Sequence, residues 1–274
     1  MDVKNFWKRT VTGILLVTVI VGTLLLGVYP LSGLCFLINV LGLLEFYRMF
    51  RIQNVQRKAS AVLLSAYLFV SAVLVLTGRC NASVFVLAFP LVSLIFMAEL
   101  AREPGNAFVE LAFIFMGIIY VTVPFILLIA SAFMTGDETG AYRPEVILGY
   151  MIMLWANDSG AFVFGTLFGK RRLAPRVSPN KTWEGSAGGA LLVVGIAYLN
   201  DLFIDGIPSG GWYIIGAIVV VAGTLGDLVK SLMKRTVHIK DSGNVLPGHG
   251  GILDRFDSLI GSIPFVASYL ILVV

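Results

Sequence analysis

Charge is what this sequence has least of. Only 13% of its 274 residues are Asp, Glu, Lys or Arg, about half the share that a soluble globular chain carries. With 58% hydrophobic residues and a mean hydropathy of +0.91, that shortage excludes a soluble domain and leaves a polytopic membrane protein. Cysteine is nearly absent too. Cys35 and Cys80 stand 45 positions apart without a CxxC or Cys/His ligand spacing, which excludes a disulfide framework or a thiolate metal site. No tandem repeat, low-complexity tract or stretch long enough for a separate soluble domain is present. The first apolar run, "VTGILLVTVIVGTLLLGVY", lacks a small-residue cleavage site and reads as a retained anchor. The net charge of +4 does not point to nucleic acid, because the basic residues cluster between apolar runs, where membrane orientation explains them.

What is abundant is spanning sequence. A transmembrane helix needs about 20 mostly apolar residues to cross roughly 30 Å of hydrocarbon. Nine segments fit, at about 10–29, 31–47, 59–77, 83–100, 107–134, 146–168, 185–204, 212–232 and 256–273. The fifth contains Pro124 and reads equally as one kinked helix or two short pieces. With the N-terminus inside, the inner loops hold 18 of the 20 Lys and Arg residues, and only Arg79 and Arg143 fall outside. The expected fold is therefore all-α and polytopic, with about nine transmembrane helices. Residues 1–145 form a scaffold of five helices and 146–274 a catalytic region of four helices with their inner loops.

The acidic residues divide unevenly. Asp137, Glu138, Glu145, Asp201 and Asp205 fall on outer loops, whereas Asp158, Glu184, Asp227, Asp241, Asp254 and Asp257 lie at or near the inner ends of the later helices. A charge inside a bilayer costs on the order of 2.5 kcal/mol or more, so such residues mark interior or water-filled functional sites. Asp254 and Asp257 are spaced i, i+3, which on a helix projects both carboxylates from one side. With Asp227 they form a set of oxygen ligands suited to Mg²⁺. A simpler reading makes Asp254 a helix N-terminal charge and Arg255 an orientation anchor, but it leaves three carboxylates at one depth unexplained. "PGHGG" (247–251) offers backbone N–H groups from Gly248, Gly250 and Gly251 to phosphate oxygens. Ser231, Lys234, Arg235, Lys240 and Arg255 add a seat for a polyanion. In "SPNKTWEG" (178–185), Thr182 or Asn180 can cap a helix with Glu184 in its first turn, and Lys181 can reach a phosphate. Gly185 and Gly189 have the spacing of a helix-packing face. Of the two histidines, His249 between glycines is the functional candidate and His238 reads as a surface residue.

Together, "SLMKRTVHIKDSGNVLPGHGGILDRFDS" closely resembles the signature of the phosphatidate cytidylyltransferase (CDP-diacylglycerol synthase) family. Ser231, Lys234, Arg235, Lys240, Asp241, residues 247–251, Asp254, Arg255 and Asp257 match it without a gap. "NDSGAFVFGTLFGK" and "SPNKTWEG" form a second family-like block, which brings in Asp158, Ser178, Asn180, Lys181 and Glu184. The resemblance covers roughly 155–261. It implies Mg²⁺-dependent reaction of CTP with phosphatidic acid, giving CDP-diacylglycerol and pyrophosphate at the cytoplasmic face of the plasma (inner) membrane. On the physical reading, Asp227, Asp254 and Asp257 carry the metal, a second cation or the Lys/Arg set screens the lipid phosphate, and His249 orients phosphate oxygens.

Two competing readings are distinguishable. A polytopic ion or metabolite transporter would use Asp158 and Asp227 as a cation pathway, but its polar residues belong at the midplane in paired, interrupted helices rather than at one face. The CDP-alcohol phosphotransferases also use membrane carboxylates and metal, yet their D-G-x2-A-R pattern is absent. A homodimer would suit the small-residue helix faces.

Overall fold

The computed structural model describes residues 3–101, 106–134, 140–239, 242–243 and 250–273. Lys240, Asp241, Gly248 and His249 lie outside the described residues. Within them the chain is a helical bundle. Helices α1 (Val3–Leu26), α2 (Val28–Met49) and α3 (Val55–Leu76) are followed by a 3₁₀ turn (Ala82–Leu87) leading into α4 (Ala88–Ala98). Next come α5 (Ala107–Gly117), α6 (Val123–Ser131), α7 (Pro144–Phe168) and α8 (Trp183–Phe203). The bundle closes with α9 (Gly211–Ile218), α10 (Thr224–Thr236) and α11 (Asp257–Val273). Among the described residues, six helical rods are long and apolar enough to cross a membrane, counting α5–α6 and α9–α10 as one rod each; Val11–Leu26, Ala82–Ala98 and Asp257–Val273 are apolar but shorter.

Two rods owe their continuity to a wide turn. Residues Ile118–Thr122 and Val219–Gly223 are π-helical. Pro124 follows the first; it has no N–H to donate and its ring crowds the carbonyl four residues back, so a locally widened turn lets the helix run on. The segment 107–131 is thus one interrupted helix rather than two pieces.

The C-terminal half is assembled by close backbone approach, since lipid supplies no hydrophobic drive between helices and small residues allow contact. Helices α7 and α8 lie against each other along Gly160, Gly185 and Gly189. A Cβ on Gly185 would sit 2.6 Å from the Ala161 carbonyl oxygen, and one on Gly189 2.7 Å from that of Asn157. The Gly185/Gly189 face is therefore occupied within the chain. Helices α10 and α11 cross where Gly226 meets Gly261, with a Gly226 Cβ position 2.7 Å from both the Gly261 Cα and the Asp257 carbonyl oxygen. That crossing brings the neighbouring Asp227 to Asp257.

One departure from an all-helical reading is a two-stranded antiparallel hairpin, β1 (Arg172–Ala174) with β2 (Ser178–Thr182), between α7 and α8. The "SPNKT" segment is the second strand of this hairpin. Thr182 then caps α8 by accepting from the Gly185 N–H at 3.1 Å. At the opposite end of the bundle, Arg143 donates to the Asp205 carbonyl at 3.0 Å, tying together the loops before α7 and after α8.

The first half is also more polar inside than its sequence implies. Arg57, placed by sequence among the orienting charges of an inner loop, is buried on α3 with Glu99 and Glu110, its Nη1 2.6 Å from Glu110 Oε2. Asn39, Ser65 and Thr122 form a hydrogen-bonded chain at 2.9 Å per link between α2, α3 and the π turn.

Candidate active site

Helices α7 and α10 and the start of α11 meet the hairpin around a cavity of about 420 Å³, within the range of small-molecule sites. Asp158 and Asn157 come from α7, Asn180 and Lys181 from β2, Thr224 and Asp227 from the first turn of α10, Lys234 from its last turn, Asp254 from the turn before α11, and Asp257 and Ser258 from the start of α11. Each carboxylate has its own partner. Lys181 Nζ lies 2.6 Å from Asp227 Oδ2 and 3.5 Å from the Thr224 carbonyl. Lys234 Nζ donates to Asp254 Oδ1 at 2.9 Å. Ser258 gives its N–H to Asp257 Oδ1 at 2.8 Å and its hydroxyl to Asp158 Oδ1 at 3.4 Å. Ser231 donates to Asp227 Oδ1 at 3.4 Å. Burial opposes ionisation of Asp254, yet hydrogen bonds from Lys234 and Ser242 outweigh it and hold the carboxyl below its ordinary range.

A second cavity, of about 530 Å³, shares Asp158, Asp254 and Asp257 with the first and adds Arg255. Its far wall is α1, through Thr12, Gly13, Leu16 and Val17, with Trp155 of α7 beside it. The first cavity gathers most of the charged and polar side chains, the second is walled partly by apolar helix, and carboxylates line both.

The i, i+3 reading of Asp254 and Asp257 needs correction. Helix α11 begins at Asp257, and Asp254 lies in the preceding turn, where the Arg255 N–H bonds to the Ile252 carbonyl at 2.9 Å. The two side chains reach the same cavity from different backbone conformations, because Ser242 and Lys234 draw Asp254 aside. Among the described residues no three Asp, Glu, His or Cys side chains are grouped to hold a metal by themselves. The carboxylates Asp158, Asp227, Asp254 and Asp257 on the cavity wall nevertheless offer oxygen donors that fit Mg²⁺, which is commonly held by one or two carboxylates with substrate phosphates and waters completing the octahedron.

The remaining candidates separate. Glu184 accepts the Lys170 and Arg171 N–H groups at 3.0 and 3.1 Å, closing the hairpin's base, and does not line the cavity. Ser178 pairs with Ala174 at the other end of the hairpin. Arg235 is exposed on α10. Gly250 adopts φ +80° beside Asp254, and Gly251 is buried. Sequence reasoning missed Asn157, Thr224, Ser242 and Ser258, polar groups too ordinary to stand out. It also missed Lys230, fully buried on α10 with its Nζ 3.9 Å from Met49 Sδ. Its signal was present: Asp227, Lys230, Ser231 and Lys234 follow the i, i+3, i+4, i+7 spacing of one helix face.

Comparison with known proteins decides the lineage. A family model described as "Cytidylyltransferase family" matches residues 7–273. The chain belongs to the cytidylyltransferase family. Relatives in this family include the phosphatidate cytidylyltransferase of Bacillus subtilis (strain 168), 33% identical across 94% of this chain and 95% of that protein. The phosphatidate cytidylyltransferase of Staphylococcus aureus (strain COL) is 34% identical across 96% of this chain and 98% of its own length. That of Haemophilus influenzae is 41% identical over 129 residues. The match to the family spans the N-terminal half as well as the signature-bearing half. The transport reading finds no support in this family or these relatives.

Proposed function

We propose that the protein is a phosphatidate cytidylyltransferase, transferring the cytidylyl group of CTP to phosphatidic acid with release of pyrophosphate. The observation that carries this is the pair of cavities lined by shared carboxylates. A reaction that joins a water-soluble nucleotide to a lipid needs a polar chamber and an apolar-flanked one meeting at the reacting atoms. The nucleotide triphosphate belongs with Lys181, Lys234, Asn180 and Thr224; the lipid phosphate belongs beside Arg255, its chains toward α1.

Bringing a phosphate monoester to a triphosphate is opposed by like charge. Lys181, Lys234 and Arg255 counter that repulsion, and the fixed carboxylates orient the cations. Asp227, Asp254 and Asp257 would hold Mg²⁺, which when bound withdraws charge from the α-phosphate and from the leaving pyrophosphate. The lipid phosphate, with a second pKa of about 6, is already largely dianionic at neutral pH and needs no general base. The route is a single displacement: an oxygen of the lipid phosphate bonds to the α-phosphorus as the bond to the bridging pyrophosphate oxygen breaks. His249, in the Gly-rich segment with Lys240 and Asp241, orients phosphate oxygens rather than attacking phosphorus.

The topology that fits this chemistry is nine spans with the N-terminus inside and the site at the cytoplasmic face of the plasma membrane, residues 1–145 acting as scaffold. The basic-residue distribution supports it. The test is transfer of label from CTP into a chloroform-soluble product by detergent-purified protein with phosphatidate and Mg²⁺. Absence of transfer, together with ion flux in liposomes, would replace this reading with transport.

A further inference from the structure

One buried charge lies outside this chemistry. Glu45 sits in the apolar run Leu43–Tyr47 of α2, in the scaffold half, and is only 3% exposed. A carboxylate taken out of water at that depth is tolerated only when donors surround it. Its donors all come from the signature segment some two hundred residues away. Oε2 accepts the Ile252 N–H at 2.7 Å, and Oε1 accepts the Leu253 N–H at 3.2 Å and the Ser242 hydroxyl.

The same Ser242 hydroxyl lies 2.8 Å from Asp254 Oδ2, and the Ser242 N–H donates to that oxygen at 3.3 Å. A serine hydroxyl carries one proton, so it bridges the two carboxylates while donating to one at a time. The backbone is shaped for the contact. A Cβ on Gly251 would fall 2.2 Å from Glu45 Oε1, and one on Gly243 3.0 Å from Oε2. Glycine at both positions lets the segment close on the carboxylate from two sides. Leu253, held by Glu45, immediately precedes Asp254.

We infer that Glu45 is a positioning residue for cytidylyl transfer: from α2 it anchors the backbone at Ile252 and Leu253 and the Ser242 hydroxyl and, through Ser242, fixes the carboxylate of Asp254 toward the cavity. The inference rests on the proposed reading of the site. It differs from a merely structural role in one respect: loosening Glu45 must change what Asp254 binds, beyond how firmly the chain is folded.

The experiment uses full-length protein purified in detergent, with Glu45→Gln, Ser242→Ala and the double variant. Mn²⁺ affinity is measured by electron paramagnetic resonance, with thermal midpoint and the Mg²⁺ dependence of turnover alongside. Supporting partners of metal ligands change metal affinity about 10- to 100-fold. Glu45→Gln is expected to weaken Mn²⁺ binding about tenfold by that rule and to raise the Mg²⁺ needed for half-maximal rate correspondingly. Ser242→Ala is expected to act in the same direction, and the double variant to be little worse than Glu45→Gln, as for residues in one network. Wild-type Mn²⁺ affinity in both single variants, with only the thermal midpoint lowered, overturns the inference. Should Glu45→Gln fail to fold, Glu45→Asp, which keeps the charge and shortens its reach to Ser242, Ile252 and Leu253, takes its place, and wild-type Mn²⁺ affinity in it overturns the inference. Wild-type protein that transfers no cytidylyl group would overturn the reading of the site, and this inference with it.

Discussion

Replacing Asp254 by asparagine separates charge from shape at the junction of the two cavities. The side chain is 15% exposed, accepts Lys234 Nζ at 2.9 Å on one oxygen, and takes the Ser242 hydroxyl and N–H on the other. An amide can accept on only one arm. Its NH₂ must face either the Lys234 ammonium or the Ser242 donors, leaving one of them unsatisfied. Hydrogen bonds to charged groups are worth about 1.5–3 kcal/mol, and screening at a partly exposed group trims this, so the stability loss is roughly 1–2 kcal/mol. The rate loss is larger. Removing one fixed electrostatic contact to a developing charge costs about 10²–10³ in turnover. Initial rates of label transfer from CTP to lipid across a Mg²⁺ titration, with gel filtration as the folding control, measure this. The stability difference also has a pH signature. Because the folded Asp254 carboxyl is held below its ordinary range, its contribution is fully present above about pH 4, the unfolded value, and is lost as pH falls through the folded one. Near-normal turnover of Asp254→Asn at low Mg²⁺ would refute its placement at the reacting phosphates.

Three further outcomes follow from the geometry. In a background with both Cys35 and Cys80 replaced, single cysteines at Gln53 and Arg176 react with an impermeant thiol reagent from the cytoplasmic side and one at Ala141 from the outside; labelling of Ala141→Cys from within would overturn the topology. Gly226→Ala forces a methyl into the backbone of α11, where neither the Gly261 Cα nor the Asp257 carbonyl oxygen can yield cheaply, and costs about 1–3 kcal/mol; a thermal midpoint in detergent equal to wild type would contradict the crossing. Enzyme without phosphatidate exchanges no labelled pyrophosphate into CTP, and a chiral α-phosphorothioate is turned over with inversion. Lipid-free exchange with retention would instead establish a covalent route through His249.

Much of the site was legible because membranes make charge conspicuous. Asp158, Asp227, Lys181, Lys234, Asp254 and Asp257 were chosen from residue type and depth, and all six line the same cavity. The hairpin was not legible: β1 is three residues and β2 contains Pro179, too short and irregular for a period-two pattern. The divergence of Asp254 from Asp257 was hidden as well, since it follows from a lysine twenty residues upstream and a serine twelve upstream. Glu45 and Lys230 had the signal of intramembrane charge, but one stood alone in a scaffold helix and the other among topology-setting cations. Their meaning lies in contacts across the fold that no local spacing encodes.

The central claim is that cytidylyl transfer takes place between these carboxylates, and the most direct measurement follows both halves of CTP. Purified wild-type protein is given phosphatidate, Mg²⁺ and CTP labelled at either the α- or the γ-phosphorus, beside Asp227→Asn. The account predicts α-label in the lipid phase and γ-label in pyrophosphate in equal amounts, with both lost together in the variant. Label in neither product from the wild type, or undiminished transfer by Asp227→Asn, would contradict it.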